Sequence, residues 1–195
     1  MLAELDVAGR GAMRGLFSGL VCVVVAMLAC GPAYAQLLGP LEVRGGVFAH
    51  SVDELTLDMT RIQDANVELL IGLPTLDQVI GIGQIRPHVG ATVNFGDLES
   101  MAYAGLSWTV PVFDTPVFIE GSFGAAVHNG DSDGATPPGR NLGCSFLFRE
   151  SVSVGVNVTE SASIMATLEH ASHAHLCGSN NRGLTNLGVR VGWKF

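Results

Sequence analysis

The sequence predicts an all-β protein, an eight-stranded antiparallel transmembrane β-barrel. Eight stretches alternate between apolar and polar residues, and their connections alternate between longer polar segments and mostly shorter ones. Such alternation indicates strands with one apolar face. Longer loops on one rim and short turns on the other are typical of outer-membrane barrels. The charged residues of the stretches have both signs and lie on the polar faces, which suits a closed, filled interior.

Composition limits the alternatives. The chain has 195 residues, of which 48% are apolar and 14% are charged, and this favours one folded domain over a disordered chain. Its formal net charge of -8 argues against a nucleic-acid partner, because such a partner requires a basic surface. Beyond the N-terminal segment no run of about 20 apolar residues occurs, so we expect no membrane-spanning helix.

Residues 1–35 have the features of a secretory signal peptide. Arg10 and Arg14 flank a short apolar segment, LFSGLVCVVVAMLA, and the sequence Ala33-Tyr34-Ala35 fits a cleavage site. We therefore expect export, cleavage after Ala35, and a barrel at residues 36–195 in the bacterial outer membrane. A membrane anchor is the alternative, but the apolar segment is short for one and is followed by the cleavage site.

The alternating stretches define the strands in order. The period of two is clearest in VGATVNF, AGLSWTVPV, VSVGVNV and LGVRVGWKF. The longer connections follow the first, third, fifth and seventh strands, which places them on one rim. An even strand count places both ends of the barrel on the other, periplasmic rim. The predicted strands span residues 41–50, 65–73, 84–95, 101–112, 116–127, 143–158, 162–173 and 185–195.

The last strand shows which face of the sheet is polar. A membrane barrel turns its apolar face to lipid and its polar face inward, whereas a secreted soluble sandwich, the alternative fold, packs its apolar faces together. The terminal Phe195, with Trp193 two residues before it, resembles the C-terminal signal by which outer-membrane barrels engage the barrel assembly machinery. One face of the strand carries Arg190 and Lys194, and the other carries Leu187, Val189, Val191, Trp193 and Phe195.

His170 and Ser172 lie near the outer end of the seventh strand. Residues two apart in a strand point the same way, so the pair shares a face with Ile164, Ala166 and Leu168, the face assigned to lipid. An ionisable side chain in a membrane suggests a function. Histidine can take the proton of a serine hydroxyl and so create a nucleophile. Such a pair could attack an ester bond of a lipid in the same leaflet; polar rim residues without a chemical role are the alternative.

The segment HASHAHLCGSNNRGLTNLGVRVGWKF, residues 170–195, resembles the C-terminal part of the lipid A 3-O-deacylase family, the PagL-like acyloxyacyl hydrolases. The resemblance implies an outer-membrane barrel whose His-x-Ser pair lies on the outer wall and cleaves an ester-linked acyl chain from lipid A. It implies that Ser172 is the nucleophile and His170 the general base. By the same resemblance Asn181, two residues before Gly183, helps to form the oxyanion hole, which stabilises the charge that acyl transfer builds on oxygen.

The chain departs from the family at its third catalytic position. The family has a glutamate two residues after the loop glycine, and this chain has Thr185 there, followed by Asn186. Neither can balance an imidazolium as a carboxylate does. A hairpin around TES places Glu150 opposite His170 or, with a shift of two residues, opposite Ser172. We hypothesise that Glu150 replaces the missing acid; the alternatives are a bulge that turns it inward, a Thr185–Asn186 relay, and a dyad without an acid.

Two cysteines remain after the predicted cleavage. Cys144 and Cys177 both fall at the outer rim beside neighbouring strands, so export favours a disulfide between them over two free thiols. Cys177 also alternates with His173 and His175, and all three are residue types that bind zinc. The spacing lies at the start of a loop and no CxxC motif accompanies it, so we expect no metal and no other cofactor.

Two functions of different classes fit these observations. The first is an outer-membrane ester hydrolase with lipid A of lipopolysaccharide as its substrate. The second is a non-enzymatic barrel with a structural or adhesive role at the cell surface, and the side on which His170 and Ser172 lie separates the two. A periplasmic ligand-binding barrel would need an apolar interior, which the inward-facing charges disfavour. The sequence leaves open whether the protein forms a homodimer and which acyl chain is removed.

Overall fold

Eight strands form a closed antiparallel barrel. The computed structural model describes residues 39–52, 59–135, 139–178 and 182–195, so the predicted signal peptide lies outside the described residues. The strands pair in sequence order, and β1 pairs with β8 to close the sheet. All eight predicted strands are confirmed, and closure leaves no unpaired edge. They are β1 (Leu41–Ala49), β2 (Ile62–Ile71), β3 (Gln84–Asn94), β4 (Met101–Pro111), β5 (Val117–His128), β6 (Phe146–Asn157), β7 (Ala162–Ser172) and β8 (Leu184–Lys194).

The barrel has an apolar exterior and a polar interior. Along β8, Val189 and Val191 are each 53% exposed, whereas Arg190 between them is 1% exposed. Trp193 follows on the outer face with 52% exposure. This polarity is the reverse of a soluble sandwich and is that of a barrel surrounded by lipid. We call the rim at which β1, β3, β5 and β7 end the outer rim, because barrels of this kind carry their longer loops on the extracellular side.

Buried ion pairs fill the interior. Arg44 binds Glu120 at 2.8 Å and Glu42 at 2.7 Å, and these pairs offset the cost of burying a charge. Near the outer rim, Arg149 binds Glu169 at 2.7 Å. Arg149 and Glu169 point inward. Since neighbours along a strand point to opposite faces, Glu150 and His170, which follow them, point outward.

The connection between β2 and β3, which the sequence analysis treated as a loop between two strands, is partly helical. It contains a helix, α1 (Pro74–Ile80), which begins with proline and is followed by Gly81 in a left-handed conformation with φ of 73°. Proline in the first turn and glycine after the last are common helix boundaries. None of the residues of α1 is buried, although Leu76, Val79 and Ile80 recur at the i, i+3, i+4 spacing of one helix face. No helix of the described residues is long and apolar enough to cross a membrane.

Candidate active site

His170 and Ser172 lie at the outer end of β7 on the outward face of the barrel. Both are half-buried, and Ala166 and Ile164 below them on the same face are exposed. The structure therefore places the pair on the face that the alternation predicted. Their Cα atoms are two strand positions, or about 6.6 Å, apart. Among the hydrogen bonds of the described residues, none joins Ser172 to His170; such a bond often forms only when substrate is bound.

Glu150 stands directly across the β6–β7 hairpin from His170. The two strands pair Glu150 with His170 and Phe148 with Ser172, without a register shift between their described residues. This is the first of the two predicted registers. Glu150 is exposed on the outer wall, and its neighbour Arg149 is the residue that turns inward. A carboxylate thus stands beside the imidazole on the lipid-facing surface.

Thr185 contacts the imidazole of His170 from the other side. It is the β8 partner of His170, and its Oγ1 lies 2.8 Å from Nδ1 of the ring. Residues directly opposite in a sheet are close enough for such a short side chain to reach across. When Nδ1 carries the ring proton it donates to Thr185, and the lone pair of Nε2 stays available. The hydroxyl therefore orients the ring without adding charge, and because it can donate or accept it fits either tautomer.

Asn186, the other member of the suggested relay, lies on the inward face of β8. Its Nδ2 donates to Glu169 at 3.0 Å, and its Oδ1 accepts a hydrogen bond from the backbone N–H of Ser51 at 2.9 Å. Because successive strand residues point to opposite faces, the structure does not bring Asn186 to His170. Asn181, which was assigned to the oxyanion hole, lies outside the described residues.

Two residues to which the sequence analysis gave no role of their own also lie at the site. Phe148 stands across from Ser172 and stacks on Phe123 with ring centroids 6.0 Å apart. The hairpin register that set Glu150 opposite His170 already implied this position for Phe148. Gly183 lies against the His170 ring, and no pattern of the sequence indicated that contact.

The segment after β1 supports the site from inside the barrel. The backbone N–H of Val52 donates to the carbonyl of Thr185 at 2.7 Å, which extends the β1–β8 pairing beyond the end of β1. The backbone N–H of Ser51 donates to the side-chain Oδ1 of Asn186. The residue that orients His170 is therefore fixed by the main chain of a neighbouring segment.

A buried ion cluster lies under this segment at the outer rim. The ring of His50 binds Asp64 at 2.9 Å and Glu99 at 2.9 Å, and we call these three residues the His50 cluster. Burial alone would lower the pKa of His50, but the hydrogen bonds to Asp64 and Glu99 outweigh it and raise the pKa to about 9. Burial would raise the pKa of Glu99, yet hydrogen bonds from His50 and from the backbone N–H of Arg140 hold it below its ordinary value.

Cys144 and Cys177 are joined in a disulfide at the outer rim. Their Cα atoms are 5.9 Å apart, within the usual range for a disulfide. The bond connects the loop after Ser172 to the segment that enters β6. The ligand atoms of Cys144, His173 and Cys177 lie within 4.8 Å of one another, but the two sulfurs are bonded to each other, so neither is the thiolate that a metal would need. His175 is exposed.

Known proteins resemble the chain in sequence and in fold. Residues 75–194 match the family described as lipid A 3-O-deacylase (PagL). The crystal structure of the outer membrane enzyme PagL matches with a TM-score of 0.53 and 17% identity, covering 78% of this chain and 98% of that one. The N-terminal β-barrel domain of Pseudomonas aeruginosa OprF matches with a TM-score of 0.50 and 11% identity, covering 80% and 97%. Structural likeness at these identities shows the fold alone. Among curated proteins, none matches the sequence significantly.

Proposed function

Because the chain belongs to the lipid A 3-O-deacylase family, we propose that this outer-membrane barrel hydrolyses an acyl ester of lipid A with Ser172 and His170. The observation that carries the proposal is the outward position of the pair, with the imidazole held at Nδ1 by Thr185. A lipid in the outer leaflet can reach groups on the lipid-facing wall near the outer rim. It could not reach the same groups in the filled interior.

The reaction begins when Nε2 of His170 takes the proton of the Ser172 hydroxyl. The serine oxygen attacks the acyl carbonyl carbon, a carbon–oxygen bond forms, and the carbonyl electron pair moves onto its oxygen. Asn181 is the proposed donor to this oxyanion. The bond to the sugar oxygen then breaks, His170 returns the proton to that oxygen, and an acyl-serine remains. Water repeats the same steps, so that a free fatty acid leaves and Ser172 is restored.

Thr185 and Glu150 divide the role that a single carboxylate has in other triads. Thr185 orients the ring through Nδ1, which can donate only one hydrogen bond, so Glu150 is not needed there. Glu150 stands on the opposite neighbouring strand and contributes negative charge beside the imidazolium that forms during the reaction. Because Glu150 is exposed, solvent and headgroup ions screen this charge, and its effect is the smaller of the two.

Mass spectrometry of lipid A from producing cells tests the proposal. Cells that make the wild-type protein should contain lipid A lighter by one acyl chain, and cells that make Ser172→Ala should not. Ser145→Ala, which changes an exposed serine next to the disulfide, is the matched control and should behave as the wild type. Lipid A of unchanged mass in cells with folded wild-type barrel would contradict the proposal and favour a non-enzymatic barrel.

A further inference from the structure

Gly183 has no space for a side chain because the His170 ring occupies it. A Cβ built on Gly183 would lie 2.6 Å from Cε1 of His170 and 3.1 Å from Nε2. Real Cβ atoms essentially never come within 3.0 Å of a non-bonded heavy atom of another residue. A methyl group at this position would therefore push the imidazole away from the place it now occupies.

The contact falls on the part of the ring that carries the proposed chemistry. Thr185 binds Nδ1, and Gly183 covers Cε1 and the neighbouring Nε2, the nitrogen that takes the proton of Ser172. The two residues are separated by one position at the start of β8. They hold the ring from two directions, one by a hydrogen bond and one by contact with a bare Cα.

The backbone of Gly183 adds a second requirement for glycine. Its φ is 62°, in the left-handed region that is costly for residues with a Cβ. The two requirements can be separated, because Gly134 in the β5–β6 loop has a φ of 79° and nothing within 4 Å of a built Cβ. A substitution at Gly134 thus brings the backbone cost without the clash.

We propose that Gly183 is a positioning residue for the reaction, and that its missing side chain lets the His170 ring lie where Nε2 can meet the Ser172 hydroxyl. The inference rests on the proposed function. A displacement of about 1 Å at a reacting group can cost about 100-fold in rate. The effect should fall on kcat rather than KM, because Gly183 acts through the general base and not through contact with the lipid.

Steady-state kinetics on lipid A in detergent micelles test the inference with three variants. Gly183→Ala should lower kcat by about 100-fold with KM nearly unchanged, and Gly134→Ala should keep wild-type kinetics. Gly183→Asn distinguishes clash from backbone strain, because asparagine tolerates the left-handed region but still carries a Cβ. It should be as slow as Gly183→Ala. Near wild-type kcat in either Gly183 variant would overturn the inference.

An NMR measurement separates failure of this inference from failure of the proposed function. If the wild-type barrel proves inactive on lipid A, the function fails, but the contact can still be observed. The folded wild type should give a strong nuclear Overhauser effect between Hε1 of His170 and the Hα atoms of Gly183. Gly183→Ala should shift the ring resonances of His170, and Gly134→Ala should not. A folded wild type without this cross-peak would overturn the inference whatever its activity.

Discussion

Replacing Thr185 by valine removes one hydroxyl and keeps the shape of the side chain. In the wild type this hydroxyl lies 2.8 Å from Nδ1 of His170, a normal hydrogen-bond length. During the reaction the ring becomes an imidazolium, and a hydrogen bond to a charged group contributes about 1.5–3 kcal/mol. Its loss corresponds to a fall in kcat of about 10- to 150-fold. The effect should be smaller than the roughly 10⁴-fold loss seen when a triad loses its carboxylate.

Release of fatty acid from purified lipid A measures this effect. Thr185→Val should show the reduced kcat with little change in KM, and Thr185→Ser, which keeps a hydroxyl at the same position, should recover most of the activity. The free energy of unfolding in urea should lie within about 0.5 kcal/mol of the wild-type value for both variants, because the site is on the wall and not in the interior. A valine variant as active as the wild type, or a serine variant as slow as valine, would refute the orienting role of Thr185.

Three further predictions concern the charges around the site. Glu150→Gln should lower kcat by about 2- to 5-fold, since an exposed charge has a modest effect, and Glu160→Gln in the β6–β7 turn should not; equal activity of the two variants would remove Glu150 from the mechanism. Glu169→Gln breaks the fully buried ion pair with Arg149 and should lower the free energy of unfolding in urea by about 3–5 kcal/mol. A loss below about 1 kcal/mol would contradict the stabilising role of this ion pair. Because the pKa of His50 is raised from 6.5 to about 9, protonated His50 stabilises the fold by about 3 kcal/mol in the free energy of unfolding. This contribution is complete below pH 6.5 and is lost as the pH rises through about 9. His50→Gln should abolish this loss in unfolding measured at pH 6 and pH 10, and an unchanged pH dependence in that variant would assign the loss to another group.

The sequence carried enough information to place the His-x-Ser pair and Glu150. Alternation with a period of two fixes the face of every residue of a strand once one face is known to be apolar, so His170 and Ser172 could only face outward. The short turn between β6 and β7 limits the hairpin to a few registers. This limit is why the sequence placed Glu150 opposite either His170 or Ser172, and the structure has the first of these registers.

The sequence analysis named Thr185 only as one alternative partner of the imidazole and could not choose it over Glu150. A search for a carboxylate follows from the need to balance an imidazolium, but a neutral hydroxyl on the next strand can satisfy Nδ1 equally well as a hydrogen-bond partner. Which side chain reaches the ring depends on rotamers and on the β7–β8 register. The long connection between β7 and β8 left that register undetermined by the sequence.

The sequence also could not predict contacts between segments that are distant along the chain. His50 meets Glu99 across 49 residues of sequence, and no local period signals such a contact. Helix α1 was missed because it has only seven residues, too few for the spacing of Leu76, Val79 and Ile80 to distinguish a helix from a loop. Gly183 could be recognised as a loop glycine, but its contact with the ring is a property of the folded chain alone.

Covalent labelling of Ser172 tests most directly whether His170 activates it on the lipid-facing wall. An alkyl fluorophosphonate reacts with an activated serine: the serine oxygen forms a bond to phosphorus, the phosphorus–fluorine bond breaks, and fluoride leaves while the histidine takes the proton. Intact-mass measurement of the folded barrel should show one adduct, located on Ser172 by peptide mapping, and none in Ser172→Ala or His170→Ala. An unlabelled wild type, or equal labelling of the His170→Ala variant, would contradict the proposed activation.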